Sequence, residues 1–435
     1  MFSSLQTKFR NYVQKKMEGY VVSYFRAHPE VRLVVVAGSV GKTSTKTAIA
    51  TMLGQKYRVR LHEGNHNTHM SAPLAILGIP YPEHIKSYSE WRKVFSAAEA
   101  RILQPPDVDI IIQEIGADHP GEIAHFGTYL NPDIAVITAI TPEHMEFFQT
   151  MENVAQEELA AANFSKLAII NRDDIDGQYA SYLTNQNVHT YGTSDTAEYH
   201  FVEQSFTVQD GHTGQFVAPE YANVQIPAVV KVLGEHNIRP AVAAAAVAVK
   251  AGLNPQEISA GFDQIRPIPG RMCLLEGVHG SMIIDDTYNS SPVAAQSAVQ
   301  TLHSLAAPQK IVVLGTMNEL GESSAVEHQK IGRMFRPDLV DWVITVGDEA
   351  EKYLASAAKA QGCQVKSFAN SVQAGGFAHS VIGPGAVILF KGSQDKGYLE
   401  EAVKIVLKHP EQSNILVRQS PAWLAHKENY FATFS

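Results

Sequence analysis

The stretch Arg32-Leu-Val-Val-Val-Ala-Gly38-Ser-Val-Gly41-Lys42-Thr-Ser-Thr-Lys46-Thr-Ala-Ile-Ala-Thr-Met-Leu53 decides the fold. Its apolar, β-branched opening from Arg32 to Ala37 stops at Gly38, and a helical pattern runs from Lys42 to Leu53, so a strand, a tight loop and a helix follow one another. The strand signal returns at Val108 to Ile115, Ile134 to Ile140 and Leu167 to Ile170, with helical stretches from Ser87 to Leu103 and from Val154 to Ala162 between them. That alternation predicts an α/β fold with a parallel sheet covered by helices. Between Val188 and Val232 short Thr-, Val-, Phe- and Tyr-containing runs are broken by Gly, Asp and Pro, which predicts a small antiparallel insert. The run from Arg239 to Lys250 restores a helix, with Pro240 tolerable in its first turn. Arg266-Pro-Ile-Pro-Gly-Arg271 then interrupts the pattern, and a second α/β series follows at Met282 to Asp285, Lys310 to Leu314, Trp342 to Val346 and Ala386 to Phe390. The expected organisation is an N-terminal helical segment over 1–30, a central domain over 31–267 and a C-terminal domain over 268–435.

Composition agrees with packed domains. With 45% hydrophobic and 18% charged residues the chain has material for cores and too few charges for wholesale disorder. A net charge of -9 argues against a nucleic-acid binder, whose affinity would rest on neutralising phosphates. Cys273 and Cys363 are isolated, so neither a disulfide framework nor a structural zinc site is indicated. The opening MFSSLQTKFRNYVQKK lacks a signal-peptide pattern and no later segment suits a membrane span, so a cytoplasmic location is expected. The segment from Phe9 to Phe25 mixes basic with apolar residues; packing on the following domain is the favoured role, with peripheral membrane contact as the alternative.

Gly38-Ser39-Val40-Gly41-Lys42-Thr43 sits between the first strand and its helix. It is a shorter GxxGKT variant of the phosphate-binding loop, with Val36 where the longer pattern has a glycine. Glycines there let backbone N–H groups close around phosphate at a helix N-terminus, Lys42 offers a point charge, and the Thr43 hydroxyl suits magnesium. Glu114 ends a strand and His144 follows another, so both are expected to converge with Lys42 at the C-terminal sheet edge.

Taken together and in order, GSVGKTSTK, Gly64-Asn65-His-Asn67, Glu114-Ile-Gly116 with Glu122, His144, Gly234-Glu-His-Asn237, Pro269-Gly-Arg271, Asp285-Asp286-Thr-Tyr288-Asn289, Glu319-Leu-Gly321 and Lys391-Gly392-Ser393 resemble the Mur ligases, most closely their MurF branch. The resemblance spans roughly residues 31 to 435. It implies a central P-loop ATPase domain, a C-terminal Rossmann-like domain, and an ATP- and Mg2+-dependent enzyme. Such an enzyme activates a carboxylate as an acyl phosphate and couples it to an amino acid or dipeptide, in the MurF branch D-Ala-D-Ala during peptidoglycan precursor synthesis. Carried over by position, Lys42, Glu114, His144 and Arg271 are catalytic; Gly38, Ser39, Gly41, Lys42, Thr43, Ser44, Asn237, Arg271, Asp286 and Asn289 bind the nucleotide; and Thr43, Glu114 and His144 hold the metal. Asn65 and Asn67 belong to the acceptor-side loop, and Lys391, Gly392 and Ser393 to the side of the incoming amine.

Several departures bear on substrate. MurF proteins carry a whole N-terminal domain that grips the uridine nucleotide, whereas here only the segment 1–30 precedes the first strand. The acceptor is therefore expected to be a small-molecule, lipid-linked or otherwise truncated cell-wall precursor, or else that domain's work passes to the N-terminal helix or to a partner. Thr68 and Ser71 stand where the family has asparagine and glycine, and Gln394 where arginine is frequent. Glu158 aligns with the lysine that many relatives carbamylate, and so is expected to supply that negative charge itself and to reach the metal through a water; the alternative is that it is one of the solvated acids of Gln156-Glu157-Glu158 on a helix face, where Glu157 is expected to matter little. A monomer is expected. The competing readings are a related Mur-fold ligase acting on another acid, of the polyglutamylating or amino-acid-polymerising kind, and a noncatalytic ATP-binding subunit.

Overall fold

The computed structural model describes residues 2–62, 64, 66–394 and 396–434. The chain divides into two compact units, Met1–Lys231 with Asn237–Arg266, and Val232–His236 with Pro267–Ser435.

The first unit is built on one nine-stranded sheet. Its strands are β1 (Arg32–Ala37), β2 (Val59–Leu61), β3 (Ile110–Glu114), β4 (Ile134–Ile137), β5 (Ala168–Asn171), β6 (Val188–Gly192), β7 (Tyr199–Thr207), β8 (Gly211–Val217) and β9 (Ile226–Val230), in the order β2-β3-β1-β4-β5-β6-β7-β8-β9. Neighbours from β2 through β7 run parallel, and β7-β8-β9 close the sheet as an antiparallel meander. The sheet is thus mixed where the sequence predicts a parallel one. The antiparallel strands fall within the stretch from Val188 to Val232 where the sequence predicts them, and they continue the same sheet, because β6 pairs with β5 and with β7. Burial throughout β3, β4 and β5, and from Leu33 onward in β1, explains why these read as apolar runs.

Around this sheet lie α1 (Phe2–Ala27), α2 (Lys42–Leu53), α3 (Ala72–Leu77), α4 (Tyr88–Leu103), α5 (Glu122–Phe126), α6 (Met145–Phe148), α7 (Met151–Asn163) and α8 (Ile238–Ala251). Caps mark several boundaries: the Ser87 side chain accepts from Glu90 N at the start of α4, and Thr150 from Asn153 N at the start of α7. On α1, Val13, Met17, Val21 and Tyr24 recur at helical spacing and are at most 1% exposed, in one core with Trp91 and Phe95 of α4. Each such side chain contributes about 1.5–3 kcal/mol by leaving water. The apolar stripe of α1 is therefore spent on the protein core, which removes the basis for the membrane-surface alternative. No described helix is long and apolar enough to cross a membrane.

The second unit holds a six-stranded sheet of β10 (Cys273–Glu276), β11 (Met282–Asp286), β12 (Lys310–Gly315), β13 (Trp342–Val346), β14 (Val365–Phe368) and β15 (Val387–Lys391). Their order is β10-β11-β15-β12-β13-β14, parallel except for β10. Its core gathers Ile283, Ile311, Val313, Ile344, Ile388 and Phe390 beneath flanking helices.

Candidate active site

In the first sheet β1 lies between β3 and β4, so the chain leaves β1 at a switch point, where the carboxyl ends of three strands open a crevice. Register sets Val36 beside Glu114 and Ala37 beside Ile137. The loop after β1 turns on Gly38 and Gly41, both at positive φ (125° and 84°). A Cβ at Gly38 would come within 2.2 Å of Thr138 Oγ1, so only glycine fits. The loop is pinned to the exit of β4: Ser39 N donates to Ala139 O (2.9 Å), Thr138 Oγ1 to Val40 O (2.6 Å) and Thr141 N to Ser39 Oγ (3.1 Å). Ser39, expected on the nucleotide, is 3% exposed and serves this anchoring. Helix α2 then starts at Gly41 with no side-chain cap, and Thr43 and Ser44 lie half-buried in its first turn.

Glu114, 3% exposed at the end of β3, is the centre of the first cluster. Thr43 Oγ1 donates to Glu114 Oε2 (3.1 Å), Lys46 Nζ lies 3.1 Å from the same oxygen, and Asn67 Nδ2 reaches Oε1 at 3.4 Å. Gly116 is small because Asn67 lies over it, with Nδ2 only 2.8 Å from where a Cβ would be. Asn65 lies outside the described residues. Lys42 Nζ donates to Gly38 O (2.5 Å) and Ser39 O (3.2 Å) and lies 3.7 Å from Glu143 Oε2. His144, at the start of α6 with φ 49°, has Nε2 3.5 Å from Asp118 Oδ1 and 3.9 Å from Glu143 Oε1. Lys42, Thr43, Glu114, Asn67 and His144 thus share one edge, and the structure adds Lys46 and Glu143, which sequence reasoning passed over. Lys46 had a signal: it stands four residues after Lys42, one helical turn along.

Glu158 on α7 is buried behind the loop and accepts from Gly38 N at 2.6 Å. Burial pushes its carboxyl up to about 7, opposed by the nearby Lys42 charge and the Gly38 N–H. The expectation for Glu157 is overturned. It is 6% exposed, and its carboxylate accepts from Gly121 N (2.7 Å) and Ile123 N (2.5 Å) at the start of α5. Burial also raises its pKa. Both acids lie inward because α7 is covered on the side they share. Near the start of α8, Asn237 is the N-cap residue, without side-chain capping, and Arg239 pairs with Asp173 (3.2 Å) and Asp174 (3.1 Å).

The second cluster lies at the carboxyl ends of β11 and β15 in the other unit. Lys391, expected at the incoming amine, is 2% exposed: its Nζ donates to Asp286 Oδ2 (2.7 Å) and Asn289 O (2.9 Å). Ser393 Oγ accepts from Asn318 N (3.0 Å) and donates to Ser290 O (3.3 Å), and Gly392 is packed on Leu399. Asp285 accepts from Thr287 Oγ1 (2.6 Å) and Thr287 N (3.2 Å), and burial raises its carboxyl to about 6. Arg271 stacks over Tyr288, its guanidinium carbon 4.3 Å from the ring centroid, and its buried Nε has no partner among the described residues.

This architecture and this edge define a class. The Mur ligase middle domain model matches residues 36–248, and the Mur ligase, glutamate ligase domain model matches residues 270–394. The chain belongs to the Mur ligase family and is an ATP-dependent amide ligase, an enzyme that forms carbon–nitrogen bonds. Among the particular proteins it is similar to is a UDP-N-acetylmuramoyl-tripeptide–D-alanyl-D-alanine ligase of Bacillus subtilis (strain 168), 30% identical over 396 residues, 87% of this chain and 76% of that one. A solved MurF from Acinetobacter baumannii shares the fold at TM-score 0.74 and 22% identity, covering 91% of this chain and 79% of that chain. MurF from Thermotoga maritima, solved with ADP, matches at TM-score 0.71 and 21% identity over 93% and 84%.

Proposed function

We propose that the enzyme is a MurF-type ligase of peptidoglycan precursor synthesis, which activates the terminal carboxylate of a cell-wall precursor peptide as an acyl phosphate and couples it to D-Ala-D-Ala. The observation that carries this reading is the Glu114 centre, where a buried carboxylate, the Thr43 hydroxyl and Asn67 of the acceptor loop meet beside Lys42. Glu114 and Thr43 are hard oxygen donors and fit Mg2+, with His144 as a further ligand from the neighbouring loop. When bound, Mg2+ supplies charge neutralisation on the nucleotide phosphates.

The chain's own residues account for the rest. The loop from Gly38 to Ser44 acts as the P-loop, its backbone N–H groups and the uncapped start of α2 taking the anionic phosphates. Lys42 exchanges its contacts with Gly38 O and Ser39 O for the terminal phosphate, where it stabilises charge in the phosphoryl transition state. Asn237 serves the nucleotide base. Arg271, whose buried Nε has no partner among the described residues, serves the phosphates, Asp286 and Asn289 the ribose side, and Asn65 with Asn67 the acceptor. Ser393 and Gly392 face the amine side, while Lys391 positions Asp286. The working compartment is the cytoplasm and the working state a monomer.

The test is a phosphate-release screen of UDP-MurNAc peptides, and of lipid-linked precursors, against D-Ala-D-Ala and single amino acids. Turnover that needs both a muramyl peptide and D-Ala-D-Ala supports the proposal. ATP binding without turnover for any pair would remove it.

A further inference from the structure

Away from Glu114, three side chains from separate segments meet on the first unit: Glu18 of α1, His69 of the acceptor-side loop and His125 of α5. One carboxylate oxygen and one nitrogen from each ring lie within 4.8 Å of one another. Glu18 Oε1 is 2.8 Å from His125 Nε2, Gln14 Nε2 donates to Glu18 Oε1 (2.9 Å) and lies 3.5 Å from His125 Nε2, and the two imidazole centroids are 4.6 Å apart.

We propose that Glu18, His69 and His125 form a binding site for a first-row divalent metal ion of the zinc class, a site built from different residues than the Glu114 centre. The donor set is two imidazoles and one carboxylate, which suits zinc and its neighbours rather than magnesium, and leaves one tetrahedral position for water. Ligands at zinc bond lengths stand about 3.3 Å apart, so small side-chain shifts close the cluster on an ion; the Glu18–His125 contact opens slightly as its hydrogen bond gives way.

Two orphaned atoms point to a missing partner. His69 Nδ1 is buried without a hydrogen bond among the described residues, and so is the Tyr129 hydroxyl, on a ring 6.1 Å from His125. A buried polar atom left unpaired costs about 1–3 kcal/mol, and direct ligation of an ion by His69 Nδ1 would offset that. An ion here would fasten α1 to the loop that carries Asn67, joining the N-terminal helix to the acceptor side.

The experiment uses the full chain, stripped with chelator and kept in excess Mg2+, titrated with Zn2+ by calorimetry. One sub-micromolar equivalent is expected, together with a raised melting temperature. His69→Ala and Glu18→Gln should each weaken it by at least about 100-fold, since even lost outer-shell partners cost 10–100-fold. Glu114→Gln should leave it in place. Co2+ provides a readout that needs no variant, namely the visible spectrum of a four-coordinate nitrogen and oxygen site. Zn2+ affinity unchanged in His69→Ala and Glu18→Gln, or a Co2+ complex with the spectrum of the hydrated ion, overturns the proposal and leaves the cluster a hydrogen-bonded anchor for α1.

Discussion

Lys46 Nζ lies 3.1 Å from Glu114 Oε2, and both groups are almost wholly buried. The same ammonium donates to Gly64 O at 2.9 Å, so one lysine joins α2, the end of β3 and the acceptor loop. Removing one partner of a buried pair leaves an uncompensated charge, which costs about 3–5 kcal/mol. Lys46→Met should therefore lower the thermal midpoint clearly, and adding Glu114→Gln should recover part of the loss. A Lys46→Met protein that melts like wild type would mean that solvent reaches Glu114.

Lys42 sits differently, 14% exposed, with its ammonium on the loop carbonyls of Gly38 and Ser39 and 3.7 Å from Glu143. Lys42→Ala should leave melting nearly unchanged while phosphate release falls by about 10²–10³. Near-normal turnover in a folded variant would sink the phosphate-loop reading.

Glu114→Ala and His144→Ala should each raise the Mg2+ concentration needed for half-maximal turnover. The effect should be larger for Glu114, because a carboxylate is the harder and better-matched ligand. Unchanged magnesium titrations in both would assign these groups to structure alone.

Much of this was legible because buried parallel strands are continuous apolar runs. Arg32–Ala37, Lys42–Leu53 and Trp342–Val346 match the sequence boundaries residue for residue. Three strands escaped the reading. Val59–Leu61 is three residues long and only half-buried, and Cys273–Glu276 and Val365–Phe368 are half-exposed edge strands of the second sheet whose apolar pattern is diluted. Within the site, motif spacing led to Lys42, Thr43 and Glu114, but acids at adjacent helix positions defeated it. Glu157 and Glu158 look like a solvated pair until α7 is seen with both turned inward, each satisfied by backbone N–H groups from a different segment.

Lys391 carries the corresponding lesson for the second unit, where a lysine expected to face substrate is spent on Asp286 and Asn289 O. Lys391→Met should destabilise the protein by about 3–5 kcal/mol by stranding Asp286. Lys391→Met with Asp286→Asn should be milder. If Lys391→Met lowers turnover with no loss of stability, the lysine acts on substrate after all.

The adjacent acids of α7 give opposite expectations. Glu157 accepts two backbone N–H groups at the start of α5, and a glutamine there turns an NH2 toward one of them; Glu157→Gln should cost about 1–3 kcal/mol at any pH where the acid is ionised. Glu158 differs because its carboxyl is raised from 4.5 to about 7, chiefly by burial. The folded chain holds that proton at a higher pH than the unfolded chain, so folding takes up a proton between those values, and the group's contribution to stability falls as pH rises through them. The difference amounts to about 3 kcal/mol, absent below the lower value and fully expressed above the upper one. Glutamine keeps a carbonyl for Gly38 N and removes the charge. Glu158→Gln should therefore melt higher than wild type near pH 8 and about equal to it near pH 4.5, while turnover falls if Mg2+ draws on the carboxylate. Bicarbonate should stimulate neither protein. A stability difference between Glu158→Gln and wild type that stays constant from acid to alkaline pH would show that folding leaves the Glu158 pKa unchanged, with the Lys42 charge and the Gly38 N–H offsetting burial.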